Sequence, residues 1–568
     1  MTSRRTVLIA GAAGAAALAG GIGWWRAPPS AHEPPFTPDA AFPNPLRLPG
    51  GDGLYGIFDI GNHFTIVGKP VTEAIVPGKP VTLLAYEIEA DGKRYRNPLL
   101  RMKTGGMVRA KFWNALEETS IIHWHGLIVD SNNDGHPHYA VGGGEIYEYD
   151  FPVPNRAATY WYHPHPHHLT GKQVYLGLGG VFIVEDDEEL ALQKALDLAL
   201  GVTDIPLVLH DRRINEKGEL VFAPTDDEKA DGFLGEQVLV NWTPKPYLEA
   251  TTRIYRFRVL NASNARVYKL AFKSGEHTLP HQLIGNDGGL LEAPREVREL
   301  FVSPAERIDV LLDLRAQPPG SAITLHSLAF DAMEHQGGPP AADTPTAAAR
   351  PSAHAGHGAH ASYGAGPPAD QNAAAPVATA VAPAPAPVTR AVPALGVAME
   401  LMRIHVRRKV AFNRAVPEKL SRIMPIAANC GTARIITLDH VKMVWRINGH
   451  TYAHETTPIT VKRGAVEVWE IKNVPASMPH PFHIHGFQFQ VLERKHSPEQ
   501  QKALAINDKG LAASDLGWKD TVLVWPGESV CIVIDFSHPF YGNQVYMIHC
   551  HNLEHEDQGM MLNLRIEG

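Results

Sequence analysis

Strict alternation of apolar and polar residues dominates long stretches of the chain. Met107-Val-Arg-Ala-Lys-Phe-Trp113, Ile254-Tyr-Arg-Phe-Arg-Val-Leu260 and Val466-Glu-Val-Trp-Glu-Ile471 repeat with period two, as half-buried strands do. The three runs are copies of one pattern. Each follows a short polar turn (Lys103-Thr-Gly-Gly, Thr251-Thr-Arg, Lys462-Arg-Gly), and each closes on an asparagine, Asn114, Asn261 or Asn473. A second echo sets the run from Leu300 to Asp313 against the run from Thr521 to Asp535. Echoes spaced this widely mean duplicated domains, not a solenoid. The pattern predicts an all-β chain of three sandwich-type units, over 45–200, 205–332 and 399–568.

Two segments break the alternation. Arg4-Arg5 precedes an uncharged Ala/Gly-rich stretch from Val7 to Trp25. That stretch could almost span a bilayer, but Ala and Gly bury little surface, so a membrane anchor would be weak. Residues 1–31 resemble a twin-arginine export signal. This predicts a periplasmic location, the twin-arginine translocation machinery as a partner, and no stable membrane insertion after the signal is removed. The second segment, 333–398, is dominated by Ala, Pro and Gly and is expected to be a disordered insert. Its His354, His357 and His360 could bind copper or zinc loosely, or be incidental to a solvated low-complexity stretch.

Composition narrows the function classes. Apolar residues at 44% and charged residues at 20% describe a globular chain and exclude a polytopic membrane protein. Net charge of −8 offers no basic surface to nucleic acid. Three cysteines cannot form a disulfide framework, although Cys430 and Cys531 could pair in an oxidising compartment. The outlier is histidine, with 30 residues.

Those histidines concentrate in four groups, two in the first unit and two in the last. They are His123-Trp-His125, His163-Pro-His165-Pro-His167-His168, His480-Pro-Phe-His483-Ile-His485, and His549-Cys550-His551 followed by His555 and Met560. On an extended chain, H-x-H turns both imidazoles to one face. Ligand groups split between two domains suggest a metal cluster where those domains meet. In His549-Cys550-His551 the thiol faces away from both imidazoles, so one strand can serve two metal sites. Cys550 with His480, His555 and Met560 makes up the ligand set of a blue-copper centre with a weak axial methionine.

At this point the sequence resembles a three-domain bacterial multicopper oxidase of the laccase, cuprous oxidase or bilirubin oxidase type. The four histidine groups match in order and spacing, and Asp515-Leu-Gly-Trp-Lys-Asp520-Thr is similar to a flanking segment of that family. The resemblance implies three consecutive cupredoxin-like Greek-key sandwiches and four copper ions. It implies a type-1 copper on His480, Cys550, His555 and Met560, and a type-2 copper on His123 and His483. The type-3 pair would take His125, His163 and His549 on one ion and His165, His485 and His551 on the other. By family position Asp134 and Glu556 become proton suppliers, although Asp134 also suits a turn before Gly135 and Glu556 a helix start or surface charge.

The implied activity is one-electron oxidation of a small reducing substrate coupled to four-electron reduction of O2 to water. Phenols, bilirubin-like pigments and Cu(I) are all admitted as donors. Met478 matches a methionine of the cuprous oxidases, but Ala476 stands where they carry an acidic residue, and the insert is poor in methionine. The alternative is a periplasmic copper-tolerance protein acting mainly as a cuprous oxidase or copper-sequestering factor. A nitrite reductase would lack the paired type-3 ligands, and a non-enzymatic cell-division relative would have lost ligands.

Overall fold

The computed structural model describes residues 36–61, 63–76, 78–334, 391–428 and 431–568. The segments expected to form the export signal and most of the insert, together with Cys430, lie outside them. Residues up to Pro43 separate from a compact body spanning Asn44–Gly568.

That body is built from three pairs of β-sheets. In the first pair, the strands Met107–Asn114, Phe64–Val76 and Lys79–Ala90 lie side by side in one sheet, and Gly180–Glu185, Ala158–Pro164 and Ile122–His125 in the other. Ile66, Phe112, Trp124, Tyr162 and Phe182 form the apolar layer between them. The last pair sets Arg434–Val441, Val466–Asn473 and Ser529–Asp535 against Met561–Glu567, Gln544–Cys550 and His480–Ile484. Trp469, Phe482, Ile532 and Leu562 fill its core, and Cys550 and Met560 are buried in the same cluster.

The middle pair differs from the sequence expectation in one respect. The strand Met399–Arg408, expected to open the third unit, hydrogen-bonds between Pro246–Thr251 and Ala322–Ser327 in the middle one. Its alternating Met402, Ile404 and Val406 join the middle core. Alternation identifies a strand but not its partner, so the chain on the far side of the insert returns to the sandwich it left.

The sequence echoes have a physical basis. The three closing asparagines are buried and perform the same task. Asn114 Nδ2 donates to the carbonyls of Glu118 and Val141, Asn261 Nδ2 to those of Arg266 and Val302, and Asn473 Nδ2 to those of Met478 and Val524. Each pins the chain that leaves its strand, satisfying carbonyls that would otherwise be buried without donors. In the outer sandwiches the pinned chain runs directly into a histidine-bearing strand. The second echo is a tight turn whose glutamate caps it: Glu306 accepts from Ser303 N–H at 2.8 Å and Glu528 from Trp525 N–H at 2.9 Å.

Buried ion pairs join the first and middle sandwiches. Arg258 donates to Asp204 at 2.8 Å and to Glu189 at 2.6 Å, and Arg256 donates to Glu189 and Asp309, each at 2.5 Å. All five side chains are at most 4% exposed. Removing one charge from such a set leaves its partners buried and uncompensated. Arg258→Met should therefore destabilise the protein by about 3–5 kcal/mol, read as a lowered melting temperature. An unchanged melting temperature would show that the network relaxes onto water.

Candidate metal centres

Strand register brings the four histidine groups together. Ile122–His125 and Ala158–Pro164 run antiparallel with His123 opposite His163, and His480–Ile484 pairs with Gln544–Cys550 so that His483 lies opposite His549. His123, His125, His163, His165, His483, His485, His549 and His551 are at most 1% exposed and gather where the first and third sandwiches meet. Trp124, between the first two, faces the opposite way and packs against Tyr149, Phe151 and Phe182.

Five of these rings are oriented by a hydrogen bond from one nitrogen. His123 Nδ1 donates to the Asp134 carbonyl at 2.6 Å, His163 Nδ1 to the Pro164 carbonyl at 2.9 Å, and His483 Nδ1 to the Asp520 carbonyl at 2.8 Å. His125 Nε2 donates to the Asp520 carboxylate at 3.0 Å and His485 Nδ1 to the Asp134 carboxylate at 2.7 Å. The opposite nitrogens of His123, His125, His163 and His483 are buried with no partner, and so are both nitrogens of His165 and His551. Burial holds His123, His125, His483, His485 and His551 well below the ordinary imidazole range, so these rings are neutral. A neutral ring that donates from one nitrogen presents a lone pair from the other, the arrangement of a metal ligand with an outer partner. Orphaned buried acceptors at this density fit a metal cluster and little else.

Ligand atoms converge within 4.8 Å in several threes: His123, His125 and His483; His125, His163 and His551; His165, His485 and His549. The expected type-3 partition had His549 and His551 the other way round. The His549 Nε2 atom lies 3.0 Å from His485 Nε2, whereas the His551 ring lies 5.1 Å from that of His125 and 5.3 Å from that of His163. Spacing alone puts both rings on one face. Which ring meets which cluster half depends on the direction in which the strand crosses the other sandwich.

His167 and His168 stack on each other outside this group, with His168 Nδ1 donating to the Asp557 carbonyl. Asp134 forms the turn and also faces the cluster. Gly135 behind it has φ of +82°, and a Cβ there would lie 2.2 Å from the Ile122 carbonyl, so glycine is needed for the turn to close. Burial, with the charge of Asp130, pushes the Asp134 carboxyl well up.

The second group lies on the other face of Gln544–Cys550. Cys550 Sγ is 3.4 Å from His480 Nδ1 and 3.6 Å from His555 Nδ1, and all three residues are fully buried. The outer nitrogens are occupied: His480 Nε2 lies 3.1 Å from Ser477 Oγ, and His555 Nε2 donates to the Ala230 carbonyl at 2.8 Å. Met560 is tied to this group through its backbone, its N–H donating to His555 and its carbonyl accepting from Cys550. The short helix Leu553–Asp557 begins on Asn552, whose side chain caps the Glu554 N–H. Successive residues on a helix turn by about 100°, and three neighbours here point three ways. Glu554 accepts from Phe233 N–H and Asn264, His555 joins Cys550, and Glu556 reaches the other cluster. The Glu556 oxygens lie 3.4 Å from His165 Nε2 and 3.1 Å from His549 Nδ1. Burial raises this carboxyl, but His165, His549 and His163 more than offset it and bring it down to about 2. It does lie in the first turn of that helix, as a helix-start residue would, but it is buried and not a surface charge.

Three contributors escaped the sequence reading. Arg307, on the middle sandwich, donates to both oxygens of Asp520 at 2.8 and 2.6 Å, and so fixes the carboxylate behind His125. Ala230, also from the middle segment, accepts from Trp445 Nε1 as well as from His555. The Trp445 ring covers both imidazoles beside Cys550, 4.7 Å from His480 and 5.1 Å from His555. The echo containing Arg307 and the Asp515–Thr521 segment were the available signals for the first. A backbone carbonyl leaves none.

Comparison with known proteins agrees with this arrangement. The chain matches the family described as multicopper oxidase over residues 87–189 and again over 428–567. It is 30% identical to a laccase of Bacillus subtilis (strain 168), over 78% of this chain and 79% of that protein. It is 28% identical to a bilirubin oxidase of Albifimbria verrucaria, over 88% and 75% of the two. Its fold superposes on the crystal structure of the McoA multicopper oxidase from the hyperthermophile Aquifex aeolicus with a TM-score of 0.75 and 38% identity, covering 92% of this chain and 99% of that one. The three sandwiches are thus cupredoxin-like, and the chain is a copper-dependent oxidase that belongs to the multicopper oxidase family.

Proposed function

We propose that this oxidase binds four copper ions, takes electrons singly from a small reducing substrate beside Trp445, and passes them to O2 at the eight-histidine cluster. In this reading His480, Cys550, His555 and Met560 hold a type-1 ion, and His123 and His483 a type-2 ion. The type-3 pair takes His125, His163 and His551 on one ion and His165, His485 and His549 on the other. When bound, copper supplies one-electron acceptance at the thiolate and four-electron reduction of O2 to water at the cluster. The observation that carries the reading is the strand His549-Cys550-His551, which serves both groups. Neighbouring residues of one strand give the shortest covalent link between two metal groups on opposite faces.

The chain's own residues handle protons and access. Reducing O2 to water consumes a proton for every electron, and the pocket is closed to bulk solvent. Glu556, between His165 and His549, is positioned to carry protons inward, and Asp134 holds His485 and His123 at the opposite side. Electron donors meet a covered thiolate group. Trp445 and the Ala230 segment shield His480 and His555, while the half-buried His440 packs 4.7 Å from Trp445 on the outer side. The donor is a phenol, a bilirubin-like pigment or Cu(I). The laccase and bilirubin oxidase relatives favour organic donors, and buried Met478 keeps Cu(I) in view. We further propose export to the periplasm by the twin-arginine route, on the strength of Arg4-Arg5 and the uncharged stretch behind them. Among the described residues no helix is long and apolar enough to cross a membrane.

Cys550→Ser should fold, lose about one copper per chain, and lose both its thiolate-to-copper visible band and its turnover. A blue, active variant would overturn the assignment. Glu556→Gln should lower kcat for oxygen uptake by about 10²–10⁴ while anaerobic bleaching of the visible band by donor keeps its rate. Equal slowing of both steps would remove Glu556 from proton delivery. Steady-state assays with Cu(I), dimethoxyphenol and bilirubin should single out one donor class by kcat/KM, and uniformly poor turnover on all three would reject every donor considered.

A further inference from the structure

We propose that His138 and His454 form an additional surface metal site, distinct from the copper centres, which takes a divalent transition-metal ion of the Cu(II) or Zn(II) kind. His138 lies in the short helical turn Pro137–Tyr139 after Asp134, and His454 in the loop before Ile459–Lys462 of the third sandwich. Residues more than 300 positions apart thus present ring nitrogens to each other, His138 Nδ1 against His454 Nε2.

Two imidazoles that turn ring nitrogens toward each other make an arrangement that one ion can share. Their ring centres lie 4.5 Å apart, with the planes 23° apart. Both rings are exposed, so an ion can reach them, and water would supply the remaining ligands. Imidazole ligands suit zinc and cupric ions rather than magnesium or calcium.

Beneath the exposed pair lies a buried frame that holds it. His136 is 4% exposed; its Nε2 donates to Asn563 Oδ1 at 2.9 Å, and its Nδ1 accepts the His138 N–H at 3.1 Å. Asn563 Nδ2 in turn donates to the carbonyls of His454 and Thr456 at 3.1 and 2.8 Å. Tyr452 OH sits 3.3 Å from His454 Nδ1, which leaves Nε2 to face His138. A ring fixed through one nitrogen with the other turned to a partner ring is the outer-partner arrangement of a metal-binding histidine. An ion here would join the loop carrying Asp134 to the loop whose Tyr452 N–H donates to the Gly559 carbonyl, next to Met560. It would clamp the first and third sandwiches along the rim of the copper cluster.

The test is zinc binding to the copper-loaded full-length protein, by equilibrium dialysis and metal analysis, with copper content and the visible band as checks on folding. His138→Ala and His454→Ala should each bind one zinc fewer than the parent, and should lose the rise in melting temperature that zinc gives the parent. His168→Ala, at an exposed histidine nearby, should match the parent. An unchanged zinc count in either ligand variant would overturn the site, as would loss in the His168 variant. Because zinc binding is read without turnover, its failure is separate from any failure of the oxidase reading.

Discussion

The eight-histidine group depends on one buried ion pair. Arg307 of the middle sandwich grips both oxygens of Asp520 in the third, while its Nε donates to the Thr159 carbonyl of the first. Asp520 then orients two cluster imidazoles, His125 through its carboxylate and His483 through its carbonyl. A single guanidinium thereby sets the relative positions of three sandwiches and two ligands. Desolvating such a pair is costly, and only its several satisfied hydrogen bonds offset that cost. The middle sandwich contributes no cluster histidine, yet its arginine determines whether ligands from the other two can meet.

The same division of labour recurs at the thiolate group. Ligand side chains come from the third sandwich, but the carbonyl that orients His555 and anchors Trp445 comes from the Ala230 segment of the middle one. The eight-histidine group and the Cys550 group thus rest on different parts of one supporting domain. A change near Ala230 can alter what reaches the thiolate group without touching the cluster, and a change at Arg307 can do the reverse.

Much of this was legible in the chain. Period-two runs gave the strands, the echoed asparagines gave the duplication, and H-x-H spacing gave rings sharing a face. These features are local, and local geometry follows from local sequence. What escaped was set by contacts between distant segments. Which of His549 and His551 meets which group of neighbouring imidazoles depends on how one strand crosses another sandwich. The placement of Met399–Arg408 in the middle core depends on pairing, which alternation does not specify. Arg307 and Ala230 act through a long side chain and a backbone carbonyl, and neither leaves a motif.

The helical turn Leu553–Asp557 carries a further consequence. Its neighbouring residues Glu554, His555 and Glu556 serve the middle sandwich, the thiolate group and the oxygen cluster because each step along a helix rotates by about 100°. These three roles are therefore locked in phase. Inserting or deleting one residue there would swing all three side chains round together, each toward its neighbour's station. Drift in chain length, tolerated elsewhere in a protein this size, is forbidden within those few positions. The turn works as a combination lock whose tumblers cannot be reset singly.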